Sequence, residues 1–563
     1  MKSNLPLLDI KNLTISFGKG DRVVKAVDNL NITLKSGETL GIVGESGSGK
    51  SVSSLAIMGL LAKTANIDSG SIDFRIDDKM VNLLEAGDDT IRKIRGKRIA
   101  MIFQEPMTSL NPVHRCGEQV AESIKLHERC SANEARKRVL ELFEQVNLPR
   151  PLELYESYPH QLSGGQKQRI MIAMALSCNP DLIIADEPTT ALDVTVQKKI
   201  LLLLKDLCEK NNTGLIFITH DLGVVAEIAD NVCVMYRGEV LEKGVVSEIF
   251  ANPNHVYTKA LLACRPRLDK NPSRLPVVAD FMGDNTHEIV LENKIPADFS
   301  QSKNLLEVKN LNVWFPSQKD WKGKPTAYMH AVDGVSFNVK KGETLGLVGE
   351  SGCGKTTLGR AILKLVPAHS GEILFDGQNI LPLSQKEFKP VRKKAQLIFQ
   401  DPYASLNPRY TVGETLLEPM KVHRIMSSDR LRRTRIAEMM DYVGLPQTAL
   451  KKYPHEFSGG QRQRICIARA LVIEPEFIVC DESVSALDVS VQAQVLNLLN
   501  DLKVEFGLTY IFISHDLSVV KYMSDRLVVM KRGKIEEQGF ANEIYANPKS
   551  DYTRELIEAI PLV

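Results

Sequence analysis

The chain spells one series of motifs twice. Residues 44–51 read GESGSGKS and residues 349–356 read GESGCGKT. Each fits the pattern of a glycine, four free residues, then Gly-Lys-Ser/Thr, which wraps backbone around phosphate. Downstream of each come a phenylalanine–glutamine pair, a Ser-Gly-Gly-Gln tetrad, an Asp-Glu pair after an apolar run, and a histidine after another. Gln104 and Gln400 lie 296 residues apart, while Ser163 and Ser458, Glu187 and Glu482, and His220 and His515 each lie 295 apart. Lys50 and Lys355 lie 305 apart, so the first copy holds about nine more residues between loop and glutamine. This is duplication of a whole domain.

Bulk properties agree with two soluble halves. At 563 residues the chain exceeds what one core supports. Net charge is +2, which argues for neither nucleic acid nor an anionic membrane as partner. There is no run of about eighteen apolar residues and no secretory leader pattern. Nine cysteines are scattered without a CxxC pair, which reads as free thiols in a reducing compartment.

Each half opens with two alternating strand patterns, LDIKNLTISF and AVDNLNITL in the first, LEVKNLNVWF and AVDGVSFNV in the second. A short apolar strand then runs into each phosphate loop, and the stretch between glutamine and tetrad is mainly helical. Apolar strands end in Asp-Glu (LIIADE, FIVCDE) and in His (LIFITH, YIFISH). Apolar strands alternating with helices predict an α/β fold with a parallel sheet in each half. The expected division is residues 1–264, a linker at 265–304, and residues 305–563. The linker carries four prolines; as a flexible coil its forty residues would span roughly 35 Å, and about 135 Å fully extended.

The residue types explain the chemistry. Gly44, Glu45, Ser46, Gly47, Ser48 and Gly49, and their counterparts Gly349, Glu350, Ser351, Gly352, Cys353 and Gly354, present backbone N–H groups to an anion. The helix that follows aims its positive end at the same place. Lys50 and Lys355 supply charge to the phosphates of ATP, and Ser51 and Thr356 offer a hydroxyl to Mg²⁺. Asp186 and Asp481 are candidate metal ligands. Glu187 and Glu482 are candidate general bases toward water, with His220 and His515 orienting water and phosphate. Ser163, Gly164, Gly165 and Gln166, and likewise Ser458, Gly459, Gly460 and Gln461, open helical runs and form a second anion site. Cys353 replaces Ser48 inside the loop, where N–H donors and a helix N-terminus favour a reactive thiolate.

On these residues both halves resemble the nucleotide-binding domains of ABC transporters. LSGGQ at 162–166 is that family's signature, and FSGGQ at 457–461 departs only in its first residue. The resemblance implies two tandem P-loop NTPase domains, each a mainly parallel sheet core with an antiparallel β part and an inserted helical subdomain. It implies that the halves pair head-to-tail, each ATP lying between one half's loop and the other's signature. It also implies that Gln104 and Gln400 touch Mg²⁺ and sense a membrane partner. Asp193 and Asp488 would link the two sites, and Phe17 and Phe315 would stack on adenine.

QEPMTSLNP at 104–112 and QDPYASLNP at 400–408 resemble the dipeptide, oligopeptide and nickel importers of that family, as do the Tyr-Thr segments at 252–262 and 547–557. Tandem fusion is similar to the ATPases of peptide, glutathione and microcin C importers. Unfused relatives carry an iron–sulfur segment after the Tyr-Thr motif; here that stretch holds only Cys264, so no cluster is expected. The resemblance implies an ATPase subunit peripheral to the cytoplasmic face of the bacterial inner membrane, powering import of peptide-like solutes. Two transmembrane permease subunits would be direct partners, through which it meets the membrane. An extracytoplasmic solute-binding protein would be an indirect one. The rival readings are a tandem ATPase acting on ribosomes or DNA and an exporter or sugar-importer ATPase. The proline-interrupted linker, the lack of zinc cysteines and the SLNP motif disfavour them. Peptide, glutathione, nickel chelate and peptide antibiotic stay open as cargo.

Overall fold

The structure is a computed structural model that describes residues 5–20, 23–104, 109–189, 192–282, 292, 294, 298–322, 324–485 and 487–560. These fall into two compact units. One is built from residues up to 192 with 196–262, the other from 193–195 with 263–560.

In the first unit, β1 (Leu8–Phe17), β2 (Val24–Leu34), β4 (Ala65–Ile76) and β5 (Lys79–Asn82) form an antiparallel sheet in the order β2-β1-β4-β5. A second sheet runs β10-β9-β3-β8-β7-β6. Its strands are β3 (Thr39–Val43), β6 (Ile99–Ile102), β7 (Leu182–Asp186), β8 (Gly214–Thr219), β9 (Asn231–Tyr236) and β10 (Glu239–Val245). All neighbours in it are parallel except β9 with β10. Every residue of β3, β7 and β8 is buried. Continuous apolar runs such as LIIAD and GLIFIT are what a sheet covered on both faces requires.

The second unit repeats the plan. β11 (Asn304–Lys319), β12 (Pro325–Lys340), β14 (Ser370–Phe375) and β15 (Gln378–Asn379) make the antiparallel sheet β12-β11-β14-β15. β13 (Thr344–Val348), β16 (Ala395–Ile398), β17 (Phe477–Asp481), β18 (Thr509–Ile513), β19 (Arg526–Lys531) and β20 (Lys534–Phe540) make the sheet β16-β17-β18-β13-β19-β20. The repeat is not strict. β11 and β12 run 16 residues each, against 10 and 11 for β1 and β2. β4 runs 12 residues against 6 for β14, which takes up much of the first copy's excess.

Between glutamine and tetrad the chain is helical. The first unit has Cys116–Glu128, Ala132–Gln145 and Pro151–Glu156; the second has Val412–Val422 and Asp429–Tyr442. Ser131 with Glu134, and Thr411 with Glu414, form capping boxes that satisfy the first N–H groups of two of these helices.

The described part of the join is no free coil. Leu275 is 2% exposed, and its N–H and C=O are both held by the Asn497 amide, at 3.0 and 2.8 Å. Arg274 pairs with Asp501 at 3.0 Å, and the Tyr522 hydroxyl donates to Asn497 Oδ1 at 2.9 Å. An apolar side chain with a matched amide lets residues 263–282 pack on the second unit despite their prolines.

Candidate functional site

Sheet order assembles the site. In each unit, four adjacent parallel strands end at one edge, where ligands of open α/β sheets bind. In the first, β3 leads to the phosphate loop, β8 to His220, β7 to Asp186 and Glu187, and β6 to Gln104. In the second, β13, β18, β17 and β16 deliver Lys355, His515, Asp481 with Glu482, and Gln400.

The loops are held in shape by close backbone approach. Gly44 has φ 153° and Gly349 φ 146°, and a Cβ there would lie 2.1 Å from Met235 O or 2.2 Å from Met530 O. Only glycine fits. Lys50 Nζ donates to Gly44 O and Glu45 O, both at 2.7 Å. Lys355 Nζ donates to Gly349 O and Glu350 O at 2.7 and 2.8 Å. These lysines are only 6% and 4% exposed, so an incoming anion meets ammonium groups already stripped of most water.

Beside each loop lies a hydroxyl–carboxylate pair. Ser51 Oγ donates to Asp186 Oδ1 at 3.2 Å, and Thr356 Oγ1 to Asp481 Oδ1 at 2.8 Å. Burial pushes both carboxyls above the usual aspartate value, with the hydroxyls pulling the other way. Asp481 Oδ2 is buried without a hydrogen-bond partner. A hard divalent cation fits this donor set, because it would recover the buried charge while phosphate and water complete its shell. Among the described residues there is no cluster of three or more His, Cys, Asp or Glu that would form an all-protein cage.

Glu187 and Glu482 sit in the left-handed region, at φ 45° and 47°. Such backbone costs of order 1–3 kcal/mol and persists where surroundings enforce it. Here the enforcing bond is Glu187 N–H to Ile218 O, matched by Glu482 N–H to Ile513 O, each at 2.9 Å. Gln104 Nε2 donates to Glu187 Oε2 at 3.0 Å, and Gln400 Nε2 to Glu482 Oε2 at 2.8 Å. His220 Nδ1 lies 3.1 Å from Glu187 Oε1, and His515 Nδ1 lies 3.5 Å from Glu482 Oε2. Burial raises the Glu482 carboxyl, but the His515 hydrogen bond and charge outweigh it and hold the group below its usual value. Burial lowers His515, and Glu482 outweighs that to hold the imidazole above its usual value.

The tetrads are capping boxes. Ser163 Oγ accepts from Gln166 N–H at 3.3 Å while Gln166 Oε1 accepts from Ser163 N–H at 3.0 Å. Ser458 and Gln461 repeat this at 3.4 and 3.1 Å. Gly164 and Gly459 begin the helices Gly164–Leu176 and Gly459–Leu471, with Gly165 and Gly460 next in line. Asp193 is buried and accepts from Thr195 Oγ1 at 2.7 Å, while Asp488 caps the helix Val489–Phe506 without a side-chain bond. Phe17 and Phe315, at equivalent places on β1 and β11, are half-buried and back onto apolar cores.

The thiol of Cys353 departs from expectation. It is 6% exposed, and burial pushes it up despite the Lys355 ammonium 3.7 Å away. Desolvation of the thiolate outweighs the favourable field. Motif reading missed Arg360, whose Nη2 lies 3.7 Å from Asp481 Oδ2. The 305-residue offset places Leu55 opposite it in the first unit, and that mismatch was the available signal.

Comparison with known proteins defines the class. The ABC transporter profile matches residues 27–190 and 332–485, and the profile of the oligopeptide/dipeptide transporter C-terminal region matches 241–286. The chain belongs to the ABC transporter family, as an ATPase with two nucleotide-binding domains. It is 49% identical to the glutathione import ATP-binding protein GsiA of Salmonella choleraesuis (strain SC-B67), over 99% of this chain and 90% of that protein. The proteins of the same name from Escherichia coli O6:H1 and Pectobacterium atrosepticum are each 48% identical, with the same coverage. Among solved structures, the dimeric ATP-binding cassette MJ0796 bound to ADP and Pi is 34% identical. It covers 42% of this chain and 98% of its own, with a TM-score of 0.38.

Proposed function

We propose that this chain is the ATPase subunit of an importer for peptide-like solutes, glutathione among them. It would work at the cytoplasmic face of the cell membrane beside two permease subunits fed by a solute-binding protein. Among the described residues no helix is long and apolar enough to cross a membrane. One observation carries the reading. Gln400, bonded to Glu482, also lines a cleft of about 670 Å³ with Arg360, Phe399, Glu418, Val422 and His423. Phe399 and Val422 are exposed apolar side chains there. A permease segment seated in that cleft would bear on the residue that holds the general base, which is how docking and hydrolysis would be linked.

In this reading the lysines Lys50 and Lys355 bind the β- and γ-phosphates of ATP. Ser51 with Asp186, and Thr356 with Asp481, would hold Mg²⁺, with Gln104 and Gln400 nearby. When bound, the ion neutralises phosphate charge. Glu187 and Glu482 accept a proton from water, and His220 and His515 hold each carboxylate in place. The relatives' names supply the cargo class. Uptake of labelled glutathione and of a labelled dipeptide, in cells with and without this chain, tests it. Uptake should require the wild-type chain and fail with the Glu187→Gln, Glu482→Gln double variant. Equal uptake of both solutes in its absence would overturn the cargo assignment. Phe399→Asp should abolish co-purification with the permeases while leaving ATP binding intact.

A further inference from the structure

The Tyr-Thr segments mark a subfamily in the sequence but have no part in the chemistry above. The structure puts both tyrosines in one place. Tyr257, on the helix Val256–Cys264, is 0% exposed, and Glu45 N–H donates to its hydroxyl at 3.4 Å. Tyr552, on the helix Asp551–Glu558, is 5% exposed, and Glu350 N–H donates to its hydroxyl at 3.1 Å. The Tyr552 hydroxyl in turn donates to Met530 O at 3.5 Å. That carbonyl is the one that forbids a side chain at Gly349.

These contacts fall on one peptide of each loop. The Gly44–Glu45 peptide has its C=O bonded to Lys50 and its N–H to Tyr257; the Gly349–Glu350 peptide is gripped likewise by Lys355 and Tyr552. Were the lysine to turn the donor held by this C=O onto phosphate, the C=O would give up that bond. The phenol then remains to keep the peptide from rotating.

The segment is docked for that task in both units. Glu242 on β10 accepts from Asn254 N–H at 2.8 Å and His255 N–H at 3.2 Å, closing the turn before the first helix. Glu537 on β20 accepts from Lys549 and Ser550 N–H at 3.0 and 3.2 Å, closing the second. Tyr257 packs on Tyr236 with centroids 4.4 Å apart, and Lys531 Nζ lies 4.2 Å over the Tyr552 ring. The turn and ring contacts set the hydroxyl's height beneath the loop.

We infer that Tyr257 and Tyr552 are positioning residues for ATP binding, each fixing the first peptide of its phosphate loop from below. Replacement by phenylalanine keeps the ring and removes only the hydroxyl. The loop N–H then loses its acceptor, and nucleotide binding must reorder the loop. One lost hydrogen bond of this kind corresponds to roughly three- to tenfold in affinity.

The test is ATP titration of the whole purified chain in EDTA, with thermal melting in the presence and absence of ATP. The Tyr257→Phe, Tyr552→Phe variant should bind ATP about three- to tenfold more weakly. Its melting temperature without nucleotide should hold, while the ATP-induced rise shrinks. Each single variant should give a two-phase isotherm, with one phase at wild-type affinity. Wild-type affinity in the double variant would overturn the inference. So would a lower melting temperature without nucleotide combined with an unchanged ATP-induced rise, because that outcome describes packing alone.

Discussion

Arg360 Nη2 stands 3.7 Å from Asp481 Oδ2, and the first unit has Leu55 in the equivalent position with no ion pair to Asp186 among the described residues. In the proposed reading Asp481 would hold Mg²⁺, and a guanidinium beside it would compete with the cation for the carboxylate. Asp481 is buried but Arg360 is 42% exposed, so water on the guanidinium side weakens the effect. Arg360→Leu should lower the Mg²⁺ concentration needed for half-maximal hydrolysis by about two- to fivefold. Leu55→Arg should raise it. Unchanged Mg²⁺ dependence in both variants would make the ion pair a bystander.

Glu187 and Glu482 each lie within hydrogen-bond reach of a glutamine and near a histidine. Exchanging either for glutamine keeps size and removes the carboxylate proposed as the base. ATP binding should survive, while turnover at that site falls by about 10²–10⁴-fold. Nucleotide trapping alongside single-turnover hydrolysis separates the two quantities. A variant that hydrolyses at the wild-type rate at both sites would make that carboxylate a positioning group only.

Glu482 lies below its ordinary 4.5 and His515 above its ordinary 6.5. Stabilisation tied to the carboxylate is present above about pH 4.5 and lost as pH falls through the lowered value. Stabilisation tied to the imidazolium is complete below about pH 6.5 and lost as pH rises through the raised value. The pair therefore contributes most between about pH 4.5 and 6.5. Melting curves of wild type and His515→Ala should differ most in that window, with the difference narrowing above it to the pH-independent cost of removing the ring. A gap that widens toward alkaline pH would contradict the pairing.

Cys353 is buried with a raised thiol. Maleimide should label it slowly in the native protein near neutral pH and quickly after unfolding, since the thiolate is the reactive form. Cys353→Ser reproduces the first unit's Ser48, itself 3% exposed, and should leave ATP turnover near wild type. Rapid native labelling at Cys353 would show that the loop opens far enough to solvate the sulfur.

Much of the fold was legible because its signals are local. Buried runs such as LIIAD and GLIFIT announce parallel strands, and a glycine pattern before Lys-Ser/Thr announces a loop that needs positive φ. The order of motifs along each half then places four strand ends together once the strands pair. None of that spacing shows Arg360 reaching Asp481, which lies 121 residues away in sequence, or Tyr552 reaching Glu350, which lies 202 away. Nor did four prolines reveal that Asn497 holds Leu275 from both sides. Cys353 shows the division within one residue. Its neighbours in sequence favour the thiolate, and its burial in three dimensions disfavours it. Backbone chemistry and periodicity belong to the sequence and determined the duplicated fold and its motifs. Desolvation and contacts between distant segments exist only after packing, so the tertiary structure alone decided how each loop is supported and how the two sites differ.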